Sequence, residues 1–392
     1  MQDQVFGPNS NKTDQNLLKP SSEGFLFYFY VANGDFQFAS PYLCARMNLF
    51  TKKRPFIISG PCGAEDEQQL ETVAKAFINS GIDMIRAGVW KPRSRPGQFE
   101  GRGEPALGWL KHVKQISGLP VCTEVASKEQ VELALKYELD AVWIGARTSV
   151  NPFAVQEIAE ALKGTSIGIL IKNPINPDID LWSGSIERFK QFGFESVAAI
   201  HRGFSSYDPS TEYRNKPMWA LPIELKRRHP ELPIICDVSH ISGRRDLLSK
   251  VAQRAMDLNF DGLMIESHPN PDAALSDAKQ QITPEQCLQL ISNLNFRSGQ
   301  VPPGLQEIEE IRLVLDSLDA EIVDLLGKRM EMVRKLGAIK KEYNIPVYQL
   351  ERWQEILNSR TSWGEKNQLR ESFVFNLFEL IHDTSIKTQL ED

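Results

Sequence analysis

The chain has 392 residues, 41% of them apolar and 24% charged, and a formal net charge of −6. That length accommodates one large domain and a smaller one, and the charge balance excludes a general nucleic-acid or anionic-membrane binder. Any anion site must therefore be a local basic cluster. The five cysteines (44, 62, 122, 236 and 287) are odd in number and show no CxxC pairing, which points to a reducing, cytoplasmic compartment and not to a disulfide framework.

The N-terminus lacks the charged start and apolar core of a signal peptide. The stretch "GFLFYFYVANGDFQFAS" is too short and too interrupted to span a bilayer. Its aromatic runs flank Asn33-Gly34 and predict a small β-hairpin. Residues 1–46 otherwise read as a polar extension without assigned function, and Met47 is an equally good start.

From Pro55 onward one theme repeats: a short apolar run, a polar loop, an amphipathic helical stretch. The runs are "FIISGPC" (56–62), "DMIRAGV" (83–89), "PVCTEV" (120–125), "AVWIGA" (141–146), "GILIKNP" (168–174), "VAAIHRG" (197–203), "PIICDVSH" (233–240) and "GLMIESH" (262–268). Strands alternating with helices imply βαβ units and a parallel sheet. Eight units in about 240 residues match a (β/α)₈ TIM barrel, an α/β fold, placed at 47–297, with a doubly wound open sheet as the alternative. "RSGQVPPG" has linker composition, and 298–304 is assigned as the linker. Beyond it, apolar residues recur at helical spacing to about 343, a helix too long to bury its stripe alone. Shorter helical stretches follow at roughly 349–360 and 366–389. Residues 305–392 are thus expected to form a small all-α domain paired with a copy of itself.

Barrel enzymes place their chemistry at the C-terminal strand ends. Those ends carry Cys62, Arg86 with "KPRSR" just beyond, Glu124, Arg147, Lys172, Arg202, His240 and Glu266. Arg86, Lys91, Arg93, Arg147, Lys172 and Arg202 would converge on one mouth with few acids at the same level. Buried ions need partners, so an anionic ligand is expected to supply them. Cys62, His240, Glu266 and Asp277 form a mixed soft and hard ligand set suited to a borderline divalent metal such as Mn, Fe, Zn or Co. His268 competes for the imidazole role, because strand alternation puts it on the same face as Glu266.

"GPCGAE", "KPRSRP", "IGAR", "IKNP", "HRG", "DVSHISGRRD" and "GLMIESHPNPDAALSDAKQQ", in this order, resemble the 3-deoxy-D-arabino-heptulosonate 7-phosphate synthases of type I beta over about 48–296. The resemblance implies condensation of phosphoenolpyruvate with erythrose 4-phosphate, the first step of the shikimate pathway. It implies a divalent metal, Mn2+ foremost with Fe2+, Co2+ or Zn2+ as alternatives, on Cys62, His240, Glu266 and Asp277. Phosphoenolpyruvate would be bound by Arg86, Lys91, Arg147, Lys172 and Arg202. Erythrose 4-phosphate would lie on Lys91, Pro92, Arg93 and Ser94, the last standing where Thr is more usual. Lys91 would give a proton to the nascent alkoxide, and Glu124 would orient the attacking water or simply pair with a cation. Related synthases that use arabinose 5-phosphate typically carry Lys-Ala-Asn-Arg where this chain has Lys-Pro-Arg-Ser, which favours the four-carbon aldehyde.

In the tail, Arg329 and Lys340 are eleven residues apart and share a helix face. Arg312 lies about 25 Å from Arg329 along one helix, so both reach one ligand only if one comes from a partner chain. "IRLVLDSLDAEIVDLLGKRMEMVRKLGAIKKEY" and "LFELIHDTSIKTQ" resemble the all-helical chorismate mutases over about 305–390. Their pericyclic step from chorismate to prephenate needs a clamp and charge complementarity but no nucleophile. The resemblance assigns the clamp to Arg329 and a second protomer's Arg312, and the ether oxygen to Lys340 and Gln389. Arg352 and Ser385 would complete the pocket. Gln349 and Trp353 depart from the pattern, standing where some members have acids. The whole reads as a bifunctional homodimer whose tail relays feedback from prephenate or chorismate. The alternatives are a non-catalytic sensor or dimerisation tail, and a metal-dependent aldolase barrel with an unrelated helical arm.

Overall fold

The computed structural model describes residues 30–32, 35–37, 49–50, 55–92, 96–206, 211–296 and 306–390. The chain divides into two compact units, residues 1–299 and 300–392. Strands β1 (Tyr30–Ala32) and β2 (Asp35–Gln37) pair antiparallel with Tyr30 opposite Gln37, while the expected turn residues Asn33-Gly34 lie outside the described residues.

All eight expected barrel strands form. They are β3 (Phe56–Gly60), β4 (Met84–Arg86), β5 (Val121–Val125), β6 (Ala141–Ile144), β7 (Gly168–Lys172), β8 (Val197–His201), β9 (Ile234–Asp237) and β10 (Gly262–Glu266). They are parallel and close in chain order, β10 pairing with both β9 and β3, which overturns the open-sheet alternative. The helices are α1 (Glu67–Phe77), α2 (Glu104–Ser117), α3 (Lys128–Lys136), α4 (Pro152–Leu162), α5 (Ile179–Gln191) and α6 (Ala220–Arg228). After them come α7 (Val238–Ser242), α8 (Leu248–Asp257) and α9 (Pro284–Ser292). Side-chain caps start several of them: Asp66, Ser127, Asn151, Asp178 and Thr283 each accept from backbone N–H groups that a helix leaves without partners.

One expected strand is cut short. "PIICDVSH" leaves the sheet after Asp237, whose carboxylate caps the next turn by accepting from the His240 N–H at 3.2 Å. His240 therefore sits on α7 and not on a strand.

Two cores result from strand alternation. Phe56, Ile58, Met84, Trp143, Leu170 and Met264 are among the residues filling the barrel interior. The alternate positions, such as Ile57, Ile85, Val142 and Ile169, pack outward with the helices. Leu49 and Phe50 close the N-terminal end. Phe50 is fully buried and edge-on to Phe56 at 5.6 Å, and the Leu49 N–H donates to Ser196 Oγ at 3.1 Å. Gly168 makes this possible, since a Cβ there would lie 2.8 Å from Phe50 Cζ and 2.9 Å from Leu49 Cδ2.

The second unit is three helices, α10 (Gln306–Glu342), α11 (Leu350–Lys366) and α12 (Glu371–Leu390), with α12 packed against both others. α11 runs six residues past its expected end, 366 against 360. Gly364 lets it meet α12, because a Cβ there would run into Val374 Cγ2. Most of the apolar residues of α10 stay exposed within one chain, among them Leu313, Leu318, Ile322, Val323 and Leu325. Among the described residues no helix is long and apolar enough to cross a membrane.

The seal at the barrel base generates a stability prediction. Phe50→Ala should destabilise the barrel by about 3–5 kcal/mol, as expected for deleting a buried aromatic ring. Urea denaturation followed by tryptophan fluorescence measures it, and a loss under about 1 kcal/mol would show that the end is not sealed by this ring.

Candidate active sites

The barrel interior is apolar up to one level and ionic at the next. Moving two residues along a strand keeps the same face, so Met84 leads to Arg86, Cys122 to Glu124 and Leu170 to Lys172. In the same way Ile200 leads to Arg202, Ile235 to Asp237 and Met264 to Glu266. Above this ring lies a cavity of about 310 Å³ lined by Lys91, Arg147, Lys172, Arg202, Arg214 and Glu124, with Pro92, His240 and Asp277 also reaching it. Arg93 and Ser94 lie outside the described residues.

The expectation of few acids at this level needs correction. Asp237, fully buried, accepts from Lys172 Nζ at 2.7 Å. Arg86 is also buried, with Nη2 3.1 Å from Glu266 Oε1 and its guanidinium over the Trp143 ring at 4.8 Å. It belongs to a deeper layer than the cavity wall. Arg202 is held by its own N–H, which donates to Asn173 Oδ1 at 2.7 Å. Burial, against the pull of Asp237, brings its pKa down to about 10, so it stays cationic at neutral pH. Glu124 accepts from Trp143 Nε1 at 3.0 Å, and Gly145 leaves room for its carboxylate. Asp237 and Arg214 were missed by sequence reading. The parity of "IICD" after Ile235 was the available signal for Asp237; a loop arginine such as Arg214 had none.

Cys62, Glu266 and Asp277 each present a ligand atom within 4.8 Å of the others. Cys62 Sγ lies 3.3 Å from Asp277 Oδ2. His240 joins from the side, Nδ1 3.7 Å from Glu266 Oε1 and Nε2 3.9 Å from Asp277 Oδ2. Its Nδ1 also lies 2.9 Å from Asp237 Oδ2. A carboxylate on one ring nitrogen fixes the tautomer and frees the other for a metal. Burial outweighs Asp237 and keeps the imidazole pKa below its usual value, the neutral form that ligates. Burial, with Glu266 adding to it, pushes the Cys62 thiol up to about 12, and Lys91 Nζ sits 3.0 Å from its sulfur. Glu266 Oε1 is buried without a hydrogen bond and lies 3.1 Å from the Arg86 guanidinium. A buried carboxylate beside a thiol, a second carboxylate and an imidazole fits a borderline divalent cation.

His268 does not join this cluster. Its Nδ1 accepts from the Asn270 N–H at 2.9 Å, and Nε2 lies 3.5 Å from Glu65 Oε2. Glu65 Oε1 accepts from the Leu275 N–H at 2.8 Å, so the pair anchors the loop that carries Asp277. A second grouping of acids and histidine, Glu67, Glu71 and His112, lies toward solvent on α1 and α2, with Glu71 ion-paired to Lys75.

In the helical unit four expected residues gather between α10 and α12. Arg329 Nη1 donates to Ser385 Oγ at 2.6 Å, and Gln389 Nε2 to the Ser385 carbonyl at 3.0 Å. Lys340, 8% exposed, donates to the Val347 carbonyl at 2.8 Å. Gln389 Oε1 is buried without a hydrogen-bond partner. Arg312 and Arg352 are exposed and paired with Glu309 and Glu355 on their own helices, so one chain does not bring them into this group. Trp353 stacks on His382 at 4.0 Å, a ring pair the sequence reading did not foresee, and Gln349 is the N-cap residue of α11.

Comparison with known proteins bears on both units. The family model of the DAHP synthetase I family matches residues 50–296, and that of chorismate mutase type II matches 311–390. A phospho-2-dehydro-3-deoxyheptonate aldolase of Thermotoga maritima is 30% identical over 238 residues, covering 61% of this chain and 68% of that protein. A 2-dehydro-3-deoxyphosphooctonate aldolase of Synechococcus sp. is 26% identical over 265 residues, covering 62% of this chain and 90% of its own. The crystal structure of a Thermotoga maritima phospho-2-dehydro-3-deoxyheptonate aldolase (DAHP synthase) superposes with a TM-score of 0.55 at 28% identity, over 61% of this chain and 67% of that one. With a barrel and a helical unit that both match, the chain belongs to the DAHP synthetase I family and carries a chorismate mutase type II domain after its barrel, an enzyme with transferase and isomerase activities.

Proposed function

We propose that the barrel condenses phosphoenolpyruvate with erythrose 4-phosphate, releasing phosphate and 3-deoxy-D-arabino-heptulosonate 7-phosphate. The observation that carries this reading is one cavity walled by Lys91, Arg147, Lys172, Arg202 and Arg214, with the Cys62, His240, Glu266 and Asp277 cluster at its edge. Arg147, Lys172 and Arg202 hold the phosphate and carboxylate of phosphoenolpyruvate through charge-assisted hydrogen bonds, with Arg86 adding its charge from the layer beneath. The Lys-Pro-Arg-Ser run at 91–94 holds the aldehyde's phosphate. A divalent cation on the four-residue cluster, Mn2+ foremost, supplies Lewis-acid polarisation of the aldehyde.

The methylene carbon of phosphoenolpyruvate attacks the aldehyde carbon, and cationic character develops at C2. Lys91, whose ammonium stands beside the Cys62 sulfur, gives the new alkoxide its proton. Glu124, pinned by Trp143, orients the water that adds at C2, and phosphate leaves as the hemiketal collapses. Since one relative named above is an octonate aldolase, the aldehyde is the point to discriminate, and the Lys-Pro-Arg-Ser run supports the four-carbon one.

In the helical domain, Arg329, Lys340, Ser385 and Gln389 bind chorismate, with Arg352 and a second protomer's Arg312 completing the clamp. Two observations support a homodimer: the exposed apolar residues of α10, which soluble monomers rarely display as one patch, and the absence of Arg312 from its own chain's pocket residues. Prephenate or chorismate bound in this domain restrains the barrel, a coupling between two distinct sites. A cytoplasmic location fits four described cysteines that are all free thiols.

Three outcomes test this. Phosphoenolpyruvate absorbance should fall with erythrose 4-phosphate, far more slowly with arabinose 5-phosphate, and not at all after chelation; activity that survives chelation would sink the metal assignment. Metal analysis should show that His240→Ala loses most bound metal and His268→Ala keeps it, the reverse pattern refuting the ligand set. Removing residues 298–392 should leave condensation intact while abolishing chorismate consumption and prephenate sensitivity. A truncated barrel still inhibited by prephenate would disprove the feedback reading.

A further inference from the structure

The four ligand candidates come from separate segments: Cys62 after β3, His240 on α7, Glu266 at the tip of β10, and Asp277 in the loop beyond it. Carboxylates brought together in this way repel, and each has two oxygens to offer. Something must select one oxygen of each and aim it.

Gln280, 1% exposed, is placed to do this. Its Nε2 donates to Glu266 Oε2 at 2.7 Å, and its Oε1 accepts from Arg214 Nη1 at 2.6 Å. The same Nη1 lies 3.1 Å from Asp277 Oδ1. One amide and one guanidinium thus engage a single oxygen of each carboxylate. The oxygens this pair leaves are those that face the cluster: Glu266 Oε1, without a hydrogen bond but 3.1 Å from Arg86 Nη2, and Asp277 Oδ2, 3.3 Å from Cys62 Sγ.

Arg214 is itself fixed against the helix that carries His240. Its neighbour Asn215, 6% exposed, donates Nδ2 to the His240 carbonyl at 2.6 Å. Gly243, at φ +68, leaves the space this docking needs, since a Cβ there would run into Arg214 Cβ. Asp277 holds the left-handed conformation at φ 51, which Asp tolerates at a cost, and the Arg214 contact helps to stabilise that backbone.

We propose that Gln280 and Arg214 act together as positioning residues, a two-member relay that aims Glu266 and Asp277 for single-oxygen ligation before the cation arrives. The inference rests on the metal reading of the cluster, and outer partners that orient ligands typically change metal affinity by about 10–100-fold. Metal-free full-length chain titrated with Co2+ alone tests it, with the thiolate-to-cobalt charge-transfer absorbance reporting ligation by Cys62. Gln280→Leu and Arg214→Met should each weaken Co2+ binding by about 10–100-fold while the urea midpoint of the metal-free chain stays near wild type. Because the two act as one relay, the double variant should bind about as weakly as the weaker single one, the non-additivity expected of coupled residues. Arg214→Lys, which keeps the charge, should recover part of the loss. Unchanged affinity in both single variants, or losses that simply add, would overturn the relay. If Gln280→Leu fails to fold, Arg214→Met at the cavity wall decides alone. A wild-type chain with no absorbance that Cys62→Ser removes would refute the metal reading itself, and the relay with it.

Discussion

The Asp237 carboxylate is the constraint on which the barrel mouth depends. It is fully buried at the tip of β9, where an unpaired charge would cost several kcal/mol. It escapes that cost by serving two sides at once. One is Lys172 at 2.7 Å; the other is His240, met through the ring at 2.9 Å and through the backbone N–H at 3.2 Å. Burial works to raise its pKa, but His240 and Lys172 outweigh it and hold the carboxyl well below its ordinary range. The cationic wall of the cavity and the cluster of Cys62, His240, Glu266 and Asp277 are thereby held in one register by a single side chain. The same carboxylate ends the strand and starts α7, so its chemistry and its effect on the backbone are inseparable.

The charged cavity lies at one end of the barrel, and apolar packing fills the other. Leu49 and Phe50 fill the N-terminal end, where Gly168 gives them room. Apolar residues occupy the interior above them, and the ionic ring begins one strand step higher. Among the described residues the charged side chains therefore gather at the C-terminal side, where loops have freedom to vary.

The helical domain shows the opposite economy. It gathers Arg329, Lys340, Ser385 and Gln389 between two helices but leaves much of the apolar face of α10 and two of its expected arginines outside. A pericyclic reaction asks only for preorganised charge and shape, and such a pocket can be divided between protomers.

Much of this was legible in the sequence. Strand and helix periodicities are local properties of the chain, and all eight barrel strands and three tail helices formed, though the run at 233–240 left the sheet after Asp237 and α11 ran on to Lys366. Cys62, His240, Glu266 and Asp277 were named from residue type and motif order, and the structure brings them together. Pairing was not legible. Lys172 and Asp237 lie 65 residues apart, and Arg214 and Gln280 lie 66 apart. No local period links them, since they meet only when the sheet closes and the loops dock on its rim. The sequence by itself determined which side chains reach the mouth, because alternation along a strand is a short-range rule. Only the tertiary structure decided which charges neutralise one another and which remain for a ligand, because electrostatic partnership depends on distance in space and on burial.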